Sequence, residues 1–194
     1  EDMAAGRAFR LVQENRLVCY DQYVYRNAAA TVENNIAFHI TQLVQSTVEP
    51  YGNLDLSITA EERKLKIKLA PEQREAIKMA LTNKFCVITG GPGTGKTAVQ
   101  RALLDLYRDK YPEAEIICCA PTGQAAQRMK ESSGLPSSTI HKALCIKATA
   151  DGSLTEGGTL NADLILVDEV SMMDAYLAER LFAAVPPHAK LVLV

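Results

Sequence analysis

The sequence predicts an α/β fold, a parallel sheet covered by helices on both faces. Three observations predict it. From Pro71 onward, short apolar runs alternate with stretches of helical spacing, the order that parallel strand pairing requires. One run, residues 85–89, leads into the glycine-rich turn Gly90-Gly91-Pro92-Gly93-Thr94-Gly95-Lys96-Thr97, which opens a helix. Another, Leu164-Ile165-Leu166-Val167, ends in two carboxylates, Asp168 and Glu169.

The elements follow in chain order. Residues 1–53 are expected to form a small accessory segment of helix, hairpin and helix. Residues 6–15 have the spacing of a short helix, and Asp21-Gln22 separates two apolar-aromatic runs as a tight hairpin does. A long amphipathic helix follows, with Val32, Ile36, Ile40, Leu43, Val44 and Val48 on one face, stopped by Pro50 and Gly52. The segment reads either as packing against the main domain or as the remnant of a winged domain.

Residues 54–70 read as a connector. Thr59-Ala60-Glu61-Glu62 matches a helix capping box. Lys64, Lys66 and Lys68 alternate with Leu65, Ile67 and Leu69, the period of a half-exposed strand whose lysines guard an edge or meet nucleic acid. Residues 71–194 form the main domain. Pro71 opens a helix that buries Ala76, Ile77, Ala80 and Leu81, and strands are expected at 85–89, 116–120, 164–167 and 191–194. The polar, glycine-containing stretch 151–159 is expected to be an exposed loop or hairpin.

Composition sets bounds. A chain of 194 residues with 47% hydrophobic and 23% charged residues suits a globular domain with an appendage. A formal net charge of −2 gives no global attraction to nucleic acid, so any such contact needs a local surface. Cys19, Cys86, Cys118, Cys119 and Cys145 lack metal spacing, and an odd, apolar-looking set suits a reducing compartment. No apolar stretch reaches membrane-spanning length and no signal peptide opens the chain, so a cytoplasmic protein without membrane contact is expected.

The glycine-rich turn is the complete P-loop pattern G-x-x-x-x-G-K-S/T. Gly91, Pro92, Gly93, Thr94 and Gly95 form the expected cradle, whose glycines let backbone N–H groups close around phosphate oxygens, and the helix N-terminus adds its positive end. Lys96 is placed to neutralise β/γ-phosphate charge and Thr97 to bind Mg²⁺. ATP and Mg²⁺ are therefore the expected cofactors. Asp168 is the candidate for the Mg²⁺ shell, and Glu169 for the base that deprotonates the attacking water. The bland alternatives are a ligand-free turn and an acidic loop start.

Three further segments narrow the reading. Gln73, ahead of the P-loop strand, could present its amide to an adenine edge. Ala120-Pro121-Thr122-Gly123-Gln124-Ala125-Ala126 turns a strand end into a helix of small residues, and Ser138-Thr139-Ile140-His141-Lys142 groups hydroxyl, imidazole and cation. With the P-loop and Ala162-Asp163-Leu164-Ile165-Leu166-Val167-Asp168-Glu169-Val170-Ser171-Met172-Met173-Asp174, this ordered set resembles superfamily 1 DNA helicases of the RecD-like family, which includes the exodeoxyribonuclease V alpha subunit. The likeness runs from about Leu69 to Val194 and is weak over residues 1–50.

The resemblance implies a RecA-like P-loop motor, an ATP-dependent helicase of 5′ to 3′ polarity serving DNA repair and recombination. It implies Gln73 as the adenine reader, Lys96, Thr97, Asp168 and Glu169 as the ATPase residues, and single-stranded DNA as partner. Pro121, Thr122, Gly123, Thr139 and His141 are its DNA-contact candidates, and other subunits of a nuclease–helicase complex are the further partners it implies. Each has a local alternative: Pro121 and Gly123 shape a turn, Thr139 caps a helix, and His141 caps one or sits in the core. The family continues past Val194 into a second RecA-like domain with an arginine finger, so weak nucleotide binding and slow turnover are expected of this chain alone. Two other readings remain: a generic AAA+-like P-loop ATPase that does not act on DNA, and a subunit whose nucleotide only stabilises an assembly.

Overall fold

A computed structural model describes residues 2–147, 149, 155 and 157–194, with side chains from residue 7 onward except residue 8. The chain opens with helix α1 (Asp2–Gln13), the antiparallel hairpin β1 (Leu17–Tyr20) and β2 (Tyr23–Arg26), and helix α2 (Asn27–Gln45). Helices α3 (Leu54–Leu65) and α4 (Pro71–Thr82) lead into β3 (Phe85–Val87), α5 (Lys96–Lys110), β4 (Ile116–Ala120) and α6 (Gly123–Ser133). The short β5 (Ser137–Thr139) and α7 (Ile140–Ala143) precede β6 (Leu164–Val167), a 3₁₀ turn at Val170–Met172, α8 (Ala175–Ala184) and β7 (Lys190–Leu193).

The main sheet runs β3-β7-β6-β4-β5 with every neighbouring pair parallel. Strands β3, β4 and β6 are apolar throughout because both faces of the sheet are covered. Along β6, Leu164 and Leu166 join one core cluster with Ile77, Leu103 and Met129, whereas Ile165 and Val167 join the other with Ile140, Leu181 and Phe182. Alternate residues of a strand point to opposite faces. So α4, α5 and α6 cover one face and α7 and α8 the other, and the expected α/β parallel sheet is present.

Three local expectations are corrected. Residues 54–65 are helix α3, not the approach to a strand. Ile58 is wholly buried on it, and burying that helical face outweighs the period-two pattern of Lys64, Lys66 and Lys68. The helix is capped by Asn53, whose side chain accepts from Leu56 N–H at 3.2 Å, so the Thr59 box caps nothing. Thr59 sits mid-helix, donating to Asp55 C=O and accepting from Arg74. Lys66, with φ 55°, ends α3.

Helix α2 stops at Gln45, short of Val48, and Val44 is 64% exposed rather than on the packed face. Leu43 alone of the expected stripe enters the α8-side core among its fully buried members, with Ile36 and Ile40 packed beside it. The edge strand β5 was not anticipated, because Ser137-Ser138-Thr139 has no apolar content to announce it. Most of the stretch 151–159 lies outside the described residues.

Candidate nucleotide site and nucleic-acid interface

Parallel strands bring their carboxyl ends to one edge. Along that edge, in sheet order, come the P-loop after β3, Asp168 and Glu169 after β6, Pro121 to Gly123 after β4, and Thr139 to His141 at β5 and α7. Every candidate ATP- or DNA-site residue, Gln73 apart, therefore lies at or beyond the carboxyl end of a strand, where open α/β sheets place ligands.

The P-loop turns into α5 through Gly95, whose φ of 81° is a conformation that residues with a Cβ rarely adopt. Thr94 braces the loop, its hydroxyl donating to Gly91 C=O at 2.8 Å. The Lys96 ammonium lies across the loop, donating to Gly90 C=O at 2.6 Å and Gly91 C=O at 3.3 Å. Its flexible stem could exchange those carbonyls for phosphate oxygens.

Gln73 has a more structural post than an adenine reader alone would need. Its Oε1 accepts from Ala70 N–H at 2.8 Å at the start of α4, and its Nε2 donates to Thr94 C=O at 2.8 Å. The amide thus ties α4 to the P-loop. Two of its four hydrogen-bonding positions remain for a ligand. A hollow of about 330 Å³ beside it is lined by Glu72, Gln73, Ala76, Gly90, Thr94 and Lys96.

Asp168 is half-buried and held. Its Oδ1 accepts from Gln100 Nε2 at 2.8 Å and from Glu169 N–H at 3.0 Å. Gln100, buried on α5 one turn past Lys96, links the β6 carboxylate to the P-loop helix. Sequence reasoning missed it. The available signal was an amide on the helix face otherwise filled by Val99, Leu103 and Leu106. Glu169 takes φ 56°, and among the described residues its exposed carboxylate has no partner. A non-glycine residue in the left-handed region costs about 1–2 kcal/mol, and such strain concentrates at functional sites. For Mg²⁺ the donor set fits: no hydrogen bond engages the Thr97 hydroxyl among the described residues, and Asp168 adds a carboxylate. Hydroxyl and carboxylate oxygens suit a hard cation that keeps several waters. When bound, Mg²⁺ would supply charge neutralisation at the phosphates.

On the other half of the edge, Ala120 pairs with Thr139 in the β4–β5 ladder, so the N-termini of α6 and α7 stand side by side. Thr122 caps α6 by accepting from Ala125 N–H at 3.2 Å, and Thr139 caps α7 by accepting from Lys142 N–H at 3.2 Å. Both hydroxyls keep their own O–H to donate. Pro121 and His141 are half-buried, and no hydrogen bond engages the His141 imidazole among the described residues, while its carbonyl accepts from Ile146 N–H at 2.8 Å. A Cβ on Gly123 would meet nothing within 4 Å, so internal packing does not require a glycine there.

Comparison with known proteins places this arrangement. A family described as "AAA domain" matches residues 73–194. The ATP-dependent RecD2 DNA helicase of Deinococcus radiodurans is 37% identical over 160 residues, covering 79% of this chain and 21% of that protein. The RecBCD enzyme subunit RecD of Haemophilus influenzae is 30% identical over 187 residues, covering 81% and 29%. The chain belongs to the AAA domain family, and within it to the RecD-like helicases. It spans less than a third of the length of either relative. The crystal structure of Pif1 helicase from Candida albicans is also similar, with a TM-score of 0.44 and 23% identity over 66% of this chain and 32% of that one. Among the described residues, no helix is long and apolar enough to cross a membrane.

Proposed function

We propose that this RecD-like domain is the ATP-hydrolysing motor half of a DNA helicase. It binds ATP through Gly91, Pro92, Gly93, Thr94, Gly95 and Lys96, with Mg²⁺ at Thr97 and Asp168 and Glu169 as the base for water. Gln73 reads adenine with the half of its amide that α4 and the P-loop leave over. Single-stranded DNA runs over Pro121, Thr122, Gly123, Thr139 and His141, and the motor moves 5′ to 3′ in DNA repair and recombination in the cytoplasm. Its partners include DNA and the other subunits of a nuclease–helicase complex.

The observation that carries this reading is the sharing of one sheet edge. The P-loop and Asp168 occupy one half, and the paired N-termini of α6 and α7 the other. Helix N-termini and their capping hydroxyls are suited to phosphate backbones, and they need no net positive charge on the chain as a whole. A nucleotide-driven shift at β6 can reach β4 directly, since Asp168 N–H donates to Cys119 C=O at 3.0 Å.

The test is the double variant Thr122→Ala with His141→Ala in the full-length protein, followed by oligonucleotide anisotropy at two salt concentrations. Single-stranded DNA affinity and DNA-stimulated hydrolysis should fall while Mg·ATP affinity stays. Wild-type DNA stimulation in that variant would return the reading to a P-loop ATPase that does not act on DNA.

A further inference from the structure

At the amino edge of the sheet, opposite the P-loop, three lysines from three elements converge on one pocket. Lys84 leads into β3, Lys110 closes α5 and Lys190 opens β7, and all three line a cavity of about 620 Å³. Lys190 is only 5% exposed. Its ammonium donates to Asn83 C=O at 2.8 Å, that of Lys110 to Pro50 C=O at 2.9 Å, and that of Lys84 to His188 C=O. An ammonium has three N–H donors, so each keeps two beyond its carbonyl, although that of Lys110 also lies over the Tyr51 and Tyr111 rings, 4.3 Å and 4.9 Å from their centroids.

Three carboxylates, Asp163, Glu49 and Glu113, line the same cavity, yet among the described residues none forms an ion pair with a lysine of the trio. Asp163 accepts from Glu115 N–H at 2.9 Å through Oδ2, while its Oδ1 stands 3.7 Å from His188. Burial, then the charges of Lys84 and Lys110, push the Lys190 ammonium down to about 8, against a small opposing pull from Cys86. Burial lowers Lys84 too, with Asp163 opposing. Ammonium groups brought together at a partly buried site with no ion-pair partner are costly, and a ligand of opposite charge relieves that cost.

We propose that this pocket binds a phosphate-class dianion between the ammonium groups of Lys84, Lys110 and Lys190. The dianion is opposite in charge to the three ammonium groups, and its several oxygens can accept from their unused N–H donors. It is a second anion site, separate from the P-loop, which stands at the other end of β3. The phosphate can belong to a small phosphorylated molecule or to the terminal phosphate of a nucleic acid strand.

The experiment is a pH titration of the Lys190 side chain by NMR in the whole, isotope-labelled chain, in chloride and then in inorganic phosphate at matched ionic strength. An anion at the site favours the charged lysine, so phosphate should raise the midpoint by about one unit, a tenfold preference for the protonated form. Lys84→Met and Lys110→Met should each abolish most of that rise. Lys96→Ala, which removes the P-loop's own phosphate contact, should leave it intact. The wild-type titration decides by itself: a midpoint unmoved by phosphate overturns the site. A rise that survives both methionine variants also overturns it, as general screening. An oligothymidylate carrying a 5′-phosphate assigns the source: if it reproduces the shift and its unphosphorylated twin does not, the ligand is a strand end. If only free phosphate acts, the ligand is small.

Discussion

Glu61 shows how a single residue can set the pH response of the fold. It is buried on α3, and its Oε1 has no hydrogen-bond partner among the described residues. Burial raises its carboxyl above the ordinary range; Lys64, at 3.3 Å, opposes this and the Asp105 carboxylate adds to it. A raised carboxyl favours the folded state only while protonated. That stability is present below the usual glutamate range and lost as pH climbs through the folded value. Glu61→Gln keeps the shape without the charge, so urea denaturation at neutral pH should find it more stable by about 1 kcal/mol, with a flatter pH profile. A less stable variant would mean that the ionised pair with Lys64 outweighs burial.

Glu169 tests the chemistry at the same scale. Glu169→Gln in the full-length protein should keep Mg·ATP affinity and lose hydrolysis, because an amide fills the space but takes no proton. Hydrolysis at the wild-type rate would hand the base role to another group.

At the scale of elements, the junction of α4 with the P-loop is the informative one. Gln73 joins Ala70 N–H to Thr94 C=O, so it acts on helix start and loop together. Gln73→Ala should lower stability by about 0.5–2 kcal/mol through the lost cap. It should also weaken the preference for ATP over GTP, as a lost bidentate adenine contact does at about 1–3 kcal/mol. Thermal denaturation and competitive nucleotide titration separate the two effects. Lower stability with an unchanged base preference would leave Gln73 a structural tie alone.

For the whole molecule, α2 belongs with the sheet rather than with the hairpin that precedes it. It lies against α8, with Asn35 Nδ2 donating to Glu179 Oε1 at 2.5 Å and Leu43 in the core cluster of β6, β7 and α8. No residue of β1 or β2 belongs to either main cluster. Leu43→Ala should therefore cost about 2–4 kcal/mol, whereas a chain starting at Asn27 should unfold in urea at nearly the same midpoint as the whole. A large loss on removing the hairpin would show that it supports the core.

The nucleotide half of the candidate site was legible in the sequence because its chemistry is local. A loop that wraps phosphate needs its glycines, lysine and threonine in consecutive positions, and a buried strand ending in Asp168 and Glu169 is conspicuous by cost alone. The parallel sheet was legible for a similar reason, since strands covered on both faces, such as β4 and β6, read as unbroken apolar runs. What lay beyond reach depends on neighbours distant in the chain. The helix over 54–65 is fixed by burial of Ile58, which no local period records, and β5 exists because β4 offers an edge to pair with. Gln100 meets Asp168 across 68 residues of sequence. Lys110 and Lys190 lie further apart still, and only the stacking of strand and helix ends joins them with Lys84 in one pocket. Local patterns encode what one segment needs; convergence of charge is a property of the folded edge.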